Sequence, residues 1–306
     1  VMGMGLAVGD PDNDLDFDFY FSNVGPMTLL MNQGDGKFIN KAEEAGVRLS
    51  EAIGWGTVFL DYDNDGWQDL YLAQMVETDG GVGINPLFHN NGDGTFTNLA
   101  ENSGAGDPGK TIGVSTADYD RDGYVDLIIG NYDEGYKLFR NTLGDQGAGG
   151  NWIAVRPTGA GSVNRDAIGA KVYVTADDGL VQMRQLMTGT GLGGNSDLEL
   201  HFGLGAANVD SLRIVWPDGT EQSASGLKTN ARYTLAYDEA PLLLDGGQTA
   251  HLPHGWLWVV AGLVAVVVAQ PLVVLLDVQG YHFTARELQL RVFLSSVVLV
   301  AAKMLL

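Results

Sequence analysis

The chain has 306 residues, 45% of them hydrophobic, which is enough for two domains with apolar cores and too apolar for a disordered class. Lys and Arg total 17 against 38 Asp and Glu, so the formal charge of −21 has the wrong sign for wrapping nucleic acid. With no cysteine, disulfides, thiol catalysis and cysteine-ligated metals are excluded, and the compartment stays open.

The acid is unevenly spread. Residues 1–245 hold 36 acids against 14 bases, whereas residues 246–306 hold only Asp277 and Glu287 against Arg286, Arg291 and Lys303. Self-repulsion of this size destabilises a compact domain unless something neutralises it, and bound cations are the simplest answer where acids cluster. The 43 glycines point to a turn-rich β architecture. Val1 lies in a Gly-rich, strand-like stretch without a charged leader and apolar core, so the N-terminus reads as incomplete or processed.

Three segments align without gaps, running Gly5 to Asp18, Gly56 to Asp69 and Gly113 to Asp126, each with Gly five residues before its first Asp. A second element follows each copy. It reads Leu29-Leu-Met-Asn32 before Gly34-Asp-Gly36, Leu87-Phe-His-Asn90 before Gly92-Asp-Gly94, and Leu138-Phe-Arg-Asn141 with no Asp-Gly turn behind it. The pattern predicts strand, Asp loop, strand, linker, strand, Asp-Gly hairpin, strand: four strands per repeat. Four-stranded units at a period near 50 read as propeller blades, and three cannot close a ring that needs about 4 to 8. Further blades before Val1 are therefore expected.

Within each loop the acids fall at positions 1, 3, 5 and 9: Asp10, Asp12, Asp14 and Asp18; Asp61, Asp63, Asp65 and Asp69; Asp118, Asp120, Asp122 and Asp126. A hard cation such as Ca²⁺ takes roughly 6 to 8 oxygens, and the carbonyl at position 7, carried by Asp16, Trp67 and Tyr124, adds one. Mg²⁺, which wants rigid octahedral geometry, suits such loops less. Gly66 and Gly123 supply the sharp turn at position 6. Leu72 and Ile129 stand where an EF-hand would place its bidentate Glu, so the loops are not EF-hands. Up to three Ca²⁺ sites are expected, and the loop from Asp10 to Asp18 departs most from the pattern because Leu15 replaces the glycine. The plainer alternative, solvated acidic turns, is weakened by three copies in register.

These residues resemble FG-GAP/VCBS-type repeats, the calcium-loop blades of integrin α-chain heads and many bacterial surface proteins. The literal Phe-Gly and Gly-Ala-Pro tripeptides are missing; the match rests on the Gly-to-Asp spacing, the loops and the Leu-Phe-x-Asn turn. Residues 152–237 resemble a second family, the ASPIC/UnbV domain of cartilage-acidic-protein-like and bacterial proteins. That match rests on Asn164-Arg-Asp-Ala-Ile-Gly-Ala170, His201-Phe-Gly-Leu-Gly205 and Val215-Trp-Pro-Asp-Gly219. Apolar and polar residues alternate over 171–175 and 211–216, which predicts a small β-sandwich.

No catalytic constellation emerges. Gly189-Thr-Gly191-Leu-Gly-Gly194 spells a dinucleotide fingerprint but opens no helix, and His89 and His201 neighbour no nucleophile in sequence.

Residues 255–276 run 22 long, interrupted only by Gln270 and Pro271, roughly 33 Å as helix and enough for one membrane span. Trp256 and Trp258 suit an aromatic belt, and Arg286 and Arg291 behind the span place the β domains outside the cytoplasm. Residues 288–306 are a second, interrupted candidate span. The sequence thus predicts a mainly β chain: three propeller-like blades over 1–145, a β domain over 150–240, a linker over 241–254 and a membrane tail. It is read as a non-catalytic, calcium-stabilised, membrane-anchored binding or scaffold protein on the periplasmic or extracellular side. Its partner would be a protein or glycan, including other subunits of a respiratory or photosynthetic complex. The alternatives are an extracytoplasmic enzyme acting on a polymer such as polysaccharide, and a surface adhesin.

Overall fold

The computed structural model describes residues 2–75, 83–189, 192 and 194–245. Both candidate membrane spans, and most of the linker before them, lie outside the described residues. Among the described residues no helix is long and apolar enough to cross a membrane.

The first repeat is a four-stranded antiparallel sheet, β1 (Met2–Gly9), β2 (Asp18–Val24), β3 (Thr28–Asn32) and β4 (Phe38–Asn40), in sequential order. The second repeats it with β5 (Gly54–Leu60), β6 (Asp69–Gln74), β7 (Leu87–Asn90) and β8 (Phe96–Asn98). Each Asp loop joins the first two strands, and its ninth residue opens the second. The Asp-Gly hairpins join the last two, with Gly34, Asp35 and Gly36 all at positive φ.

The third repeat departs from the four strands expected. It has only β9 (Thr111–Ala117), β10 (Asp126–Asn131) and β11 (Gly135–Phe139), because no Asp-Gly turn follows Asn141 to send the chain back. A 3-10 turn over Gly144–Gln146 leads on instead.

Successive sheets pack face to face. Every residue of β6 is buried, and the two-residue period splits its side chains between both neighbours. Leu70 and Leu72 join Tyr20, Leu29 and Phe88 in one core, while Tyr71 joins Val58, Val114, Leu127 and Ile129 in the next. The three sheets stack one on the next and, among the described residues, form no closed barrel.

The sandwich begins at β12 (Asn151–Thr158), followed by β13 (Lys171–Ala176), β14 (Val181–Gln185), β15 (Leu200–Gly205), β16 (Val209–Val215), β17 (Glu221–Ser225), β18 (Ala231–Ala236) and β19 (Leu242–Asp245). One sheet has the order β15-β12-β18-β19, with β12 and β18 parallel; the other is β14-β13-β16-β17. The alternation read over 171–175 is realised in β13, whose Val172, Val174 and Ala176 face Phe202, Leu204 and Tyr233 across one core.

Candidate metal centre

Each loop is organised by its own carboxylates. The backbone N–H groups of Asp65 and Gly66 donate to Asp61 at 3.2 and 3.0 Å, and those of Asp122 and Gly123 donate to Asp118 at 3.1 and 2.7 Å. The position 5 acids accept from the residue two further on, so Asp16, Trp67 and Tyr124 close the turn through their N–H groups. Position 4 is left-handed throughout (Asn13, Asn64, Arg121), and so is position 6. Gly66 and Gly123 take φ of 94° and 93° without strain, whereas Leu15 takes 71° with a side chain that L-residues rarely accommodate there.

The position 9 acids anchor the second element. Asp18, Asp69 and Asp126 accept the backbone N–H of Asn32, Asn90 and Asn141 at 2.6, 2.8 and 2.7 Å. The other oxygen of Asp69 accepts from Tyr62 and that of Asp126 from Tyr119, each at position 2. In the first loop position 2 is Pro11, which has no N–H. Oδ2 of the fully buried Asp18 therefore has no partner among the described residues, nor has Oδ1 of the fully buried Asp10.

Burial raises the pKa of Asp10 to about 7, of Asp18 to about 8, and of Asp69 and Asp126 to about 7. Such groups are costly to ionise without a nearby positive charge. In each loop three carboxylates bring ligand oxygens within 4.8 Å of one another: Asp10, Asp12 and Asp18; Asp61, Asp63 and Asp65; Asp118, Asp120 and Asp122. This is an all-oxygen set of the type hard divalent cations take. The donor sets and the orphaned oxygens of the first loop, together with the unpartnered Oδ1 of Asp63 in the second, fit a bound cation.

Four cationic or titratable side chains that the sequence did not assign meet these loops. His89 places Nδ1 3.2 Å from Asp69 and 3.6 Å from Asp63, and the bond to Asp69 raises its pKa to about 9. Arg140 lies on Asp120 and Asp122. Arg232, from β18, is buried against Asp118 and Glu199. Arg184, from β14, donates to Met183 and Gln182 while its charge acts on Asp10 and Asp61 through space. A residue-by-residue alignment of the second elements exposes His89 and Arg140; the other two are separated from their acids by more than a hundred residues.

The sandwich meets all three loops. Lys171 lies over Phe17, the N–H groups of Gly150 and Gly205 donate to the carbonyls of Asp63 and Asn64, and Trp152 presses on Gly123. Burial keeps His201 neutral, its pKa lowered to about 3. Because the Asn64 amide nitrogen already donates to Gly123, His201 Nε2 is the donor in its 2.7 Å bond to Asn64 Oδ1. A cavity of 140 Å³ remains between the domains, lined in part by Asp61, Asp118, Arg184 and Glu199.

The family models separate along the same line. Residues 61–129 match the FG-GAP-like repeat, and residues 160–242 match ASPIC and UnbV. The chain carries FG-GAP-like repeats followed by an ASPIC/UnbV domain. Over about three quarters of its length the chain is similar to cartilage acidic protein 1. The Xenopus tropicalis protein is 27% identical over 295 residues, covering 77% of this chain and 45% of the relative. The human protein is 27% identical over 274 residues, covering 71% and 41%. The chain thus spans less than half the length of the curated relatives it matches. The ASPIC/UnbV domain packs over the loop end of the FG-GAP-like blades, so any ion held there lies close to the domain boundary.

Proposed function

We propose that this is a calcium-stabilised binding or scaffold protein that works outside the cytoplasm, held to a membrane by its apolar C-terminal segment. The observation that carries the reading is the pair of buried, unpartnered carboxylate oxygens on Asp10 and Asp18. Each acid has one oxygen bonded, Asp10 by the N–H of Leu15 and Asp18 by that of Asn32, and the bare second oxygen is destabilising, by about 1–3 kcal/mol per unsatisfied group and more when charged, unless a cation completes it. Calcium is abundant outside cells and matches the oxygen-rich loops. The sandwich braced against the loops favours a stiff spacer presenting exposed blade and sandwich edges to a protein or glycan. Docking of the tail within a larger membrane complex is the more specific form of this reading.

Calorimetric titration of the chelated full chain in mild detergent, with thermal melting at saturating calcium and in excess chelator, tests the metal half. Saturation to a hundred times Kd stabilises by about 2.7 kcal/mol per site, or roughly 5–10 °C for a protein of this size. An unchanged melting temperature overturns it. Extraction of the full chain from membranes only by detergent, and release of a protein ending at residue 245, tests the anchor.

A further inference from the structure

The residue before the Asn of each second element is Met31 in the first repeat, His89 in the second and Arg140 in the third. In the third repeat that side chain settles into the loop. Arg140 Nε lies 2.5 Å from Asp120 Oδ2 and its Nη2 lies 3.0 Å from Asp122 Oδ2, while the rest of the fork holds Asp145. Asp118, at position 1, is held by Arg232 from the ASPIC/UnbV domain. The position 9 acid, Asp126, has both oxygens satisfied by the N–H groups of Asn141 and Tyr119. Asp120 keeps one oxygen, Oδ1, unpartnered, yet its charge is already opposed by the guanidinium on Oδ2.

Resting on the calcium reading above, we infer that the third loop is closed by the protein's own guanidinium groups in place of a metal ion, so that the chain carries two metal loops and not three. A planar guanidinium with five N–H donors spans two carboxylates as a divalent cation would, and does so without dissociating. The first loop is the opposite case. Its counterpart of Arg140 is the uncharged Met31, and Asp10 and Asp18, which cluster with Asp12, each keep an unpartnered buried oxygen. The sequence singles out the first loop as the irregular one because of Leu15. The side chains single out the third.

The third loop then serves as a latch. Arg232 joins Asp118 of the blade to Glu199 of the ASPIC/UnbV domain, and lies with its guanidinium carbon 5.2 Å from the centre of the Trp152 ring that presses on Gly123. A divalent ion in this loop would put two further positive charges beside Arg232 where Arg140 puts one, and a loop filled by Arg140 leaves the latch independent of calcium.

Counting bound calcium on the chelated full chain in mild detergent, by titration calorimetry and by terbium luminescence, tests this. Wild type is expected to bind two ions, Asp12→Asn one, Asp120→Asn two, and Arg140→Met, which installs the side chain of the first repeat, three. Three ions on wild type, or loss of one in Asp120→Asn, overturns the inference and leaves the calcium reading standing. Two ions on both wild type and Arg140→Met overturns Arg140 as the occupying charge. No bound ion on wild type overturns the calcium reading itself, and this inference with it. Asp120→Asn and Asp12→Asn keep the count decisive if Arg140→Met does not fold.

Discussion

Asn90 donates its side-chain amide to the carbonyl oxygen of Pro11 at 2.8 Å, tying the second repeat to the Asp loop of the first. Asn141 does the same to Tyr62 at 2.7 Å, one repeat further on. The returning rungs run from position 4 to position 6 of the next loop, Asn13 to Gly66 and Asn64 to Gly123. Each loop is therefore shaped by its neighbour as well as by its own acids.

Replacing Asn90 or Asn141 by Ala removes a link between repeats and the bond that its Oδ1 accepts from Gly92 or Leu143. Each change is expected to destabilise by about 2–4 kcal/mol, as two or three buried bonds at roughly 1 kcal/mol each with carbonyls left bare. Asn32→Ala, whose amide reaches only its own loop at 3.5 Å, should cost less. Urea unfolding midpoints of the three variants check the order.

Gly123→Ala meets two obstacles at once. The position has φ of 93°, and an added Cβ would lie 2.1 Å from the Trp152 ring. A loss of about 2–5 kcal/mol is expected from left-handed strain plus overpacking. Trp152 fluorescence should report its displacement. Leu15→Gly relieves the same backbone strain in the first loop and should be neutral or stabilising by up to about 1 kcal/mol, read from its melting temperature.

Arg232→Ala leaves Asp118 and Glu199 facing each other without their shared cation. Removing one member of a buried ionic cluster typically costs 3–5 kcal/mol. The loss should appear in chelator as well as in calcium, and limited proteolysis should cut between residues 143 and 151, where the domains join.

The metal-free protein should grow more stable as pH falls from about 8 to 5. Folding raises Asp10, Asp18, Asp69 and Asp126 from 3.8 to about 7 or 8 by burial, so between those values the folded state holds protons that the unfolded chain releases. Stability is therefore lost as pH rises through the folded pKa values and regained on acidification. Saturating calcium favours the ionised acids and should reverse the slope. Urea midpoints at pH 5 and 8, each with chelator and with calcium, check the sign.

The spacing of acids and glycines made the loops and the hairpins legible in the sequence, because turn chemistry is local; the lost Asp-Gly turn behind Asn141 was visible too, yet the repeat pattern still predicts a fourth strand there that the structure lacks. The alternation over 171–175 likewise announced β13 before any partner was known. What sequence reading passed over was long-range. Arg232 sits 114 residues from Asp118, and nothing near either residue names the other. Pro11 was in plain view, but its weight depends on knowing that Tyr62 and Tyr119 donate from that place in the other loops. His89 neighbours no nucleophile in sequence and so stands out for nothing there, since only folding of β7 beside its loop brings it onto Asp69.

The rungs between loops have a consequence for how the molecule comes apart. Units coupled only to their neighbours behave as a linear array whose weakest joint opens first, unless the joints are stronger than the units. Here the joints run through the sites where the ions would sit, and the sandwich lies along the loop side of the array and touches all three units. Unfolding should therefore be a single sharp transition when the ions are bound and broaden into separate steps once they are stripped away.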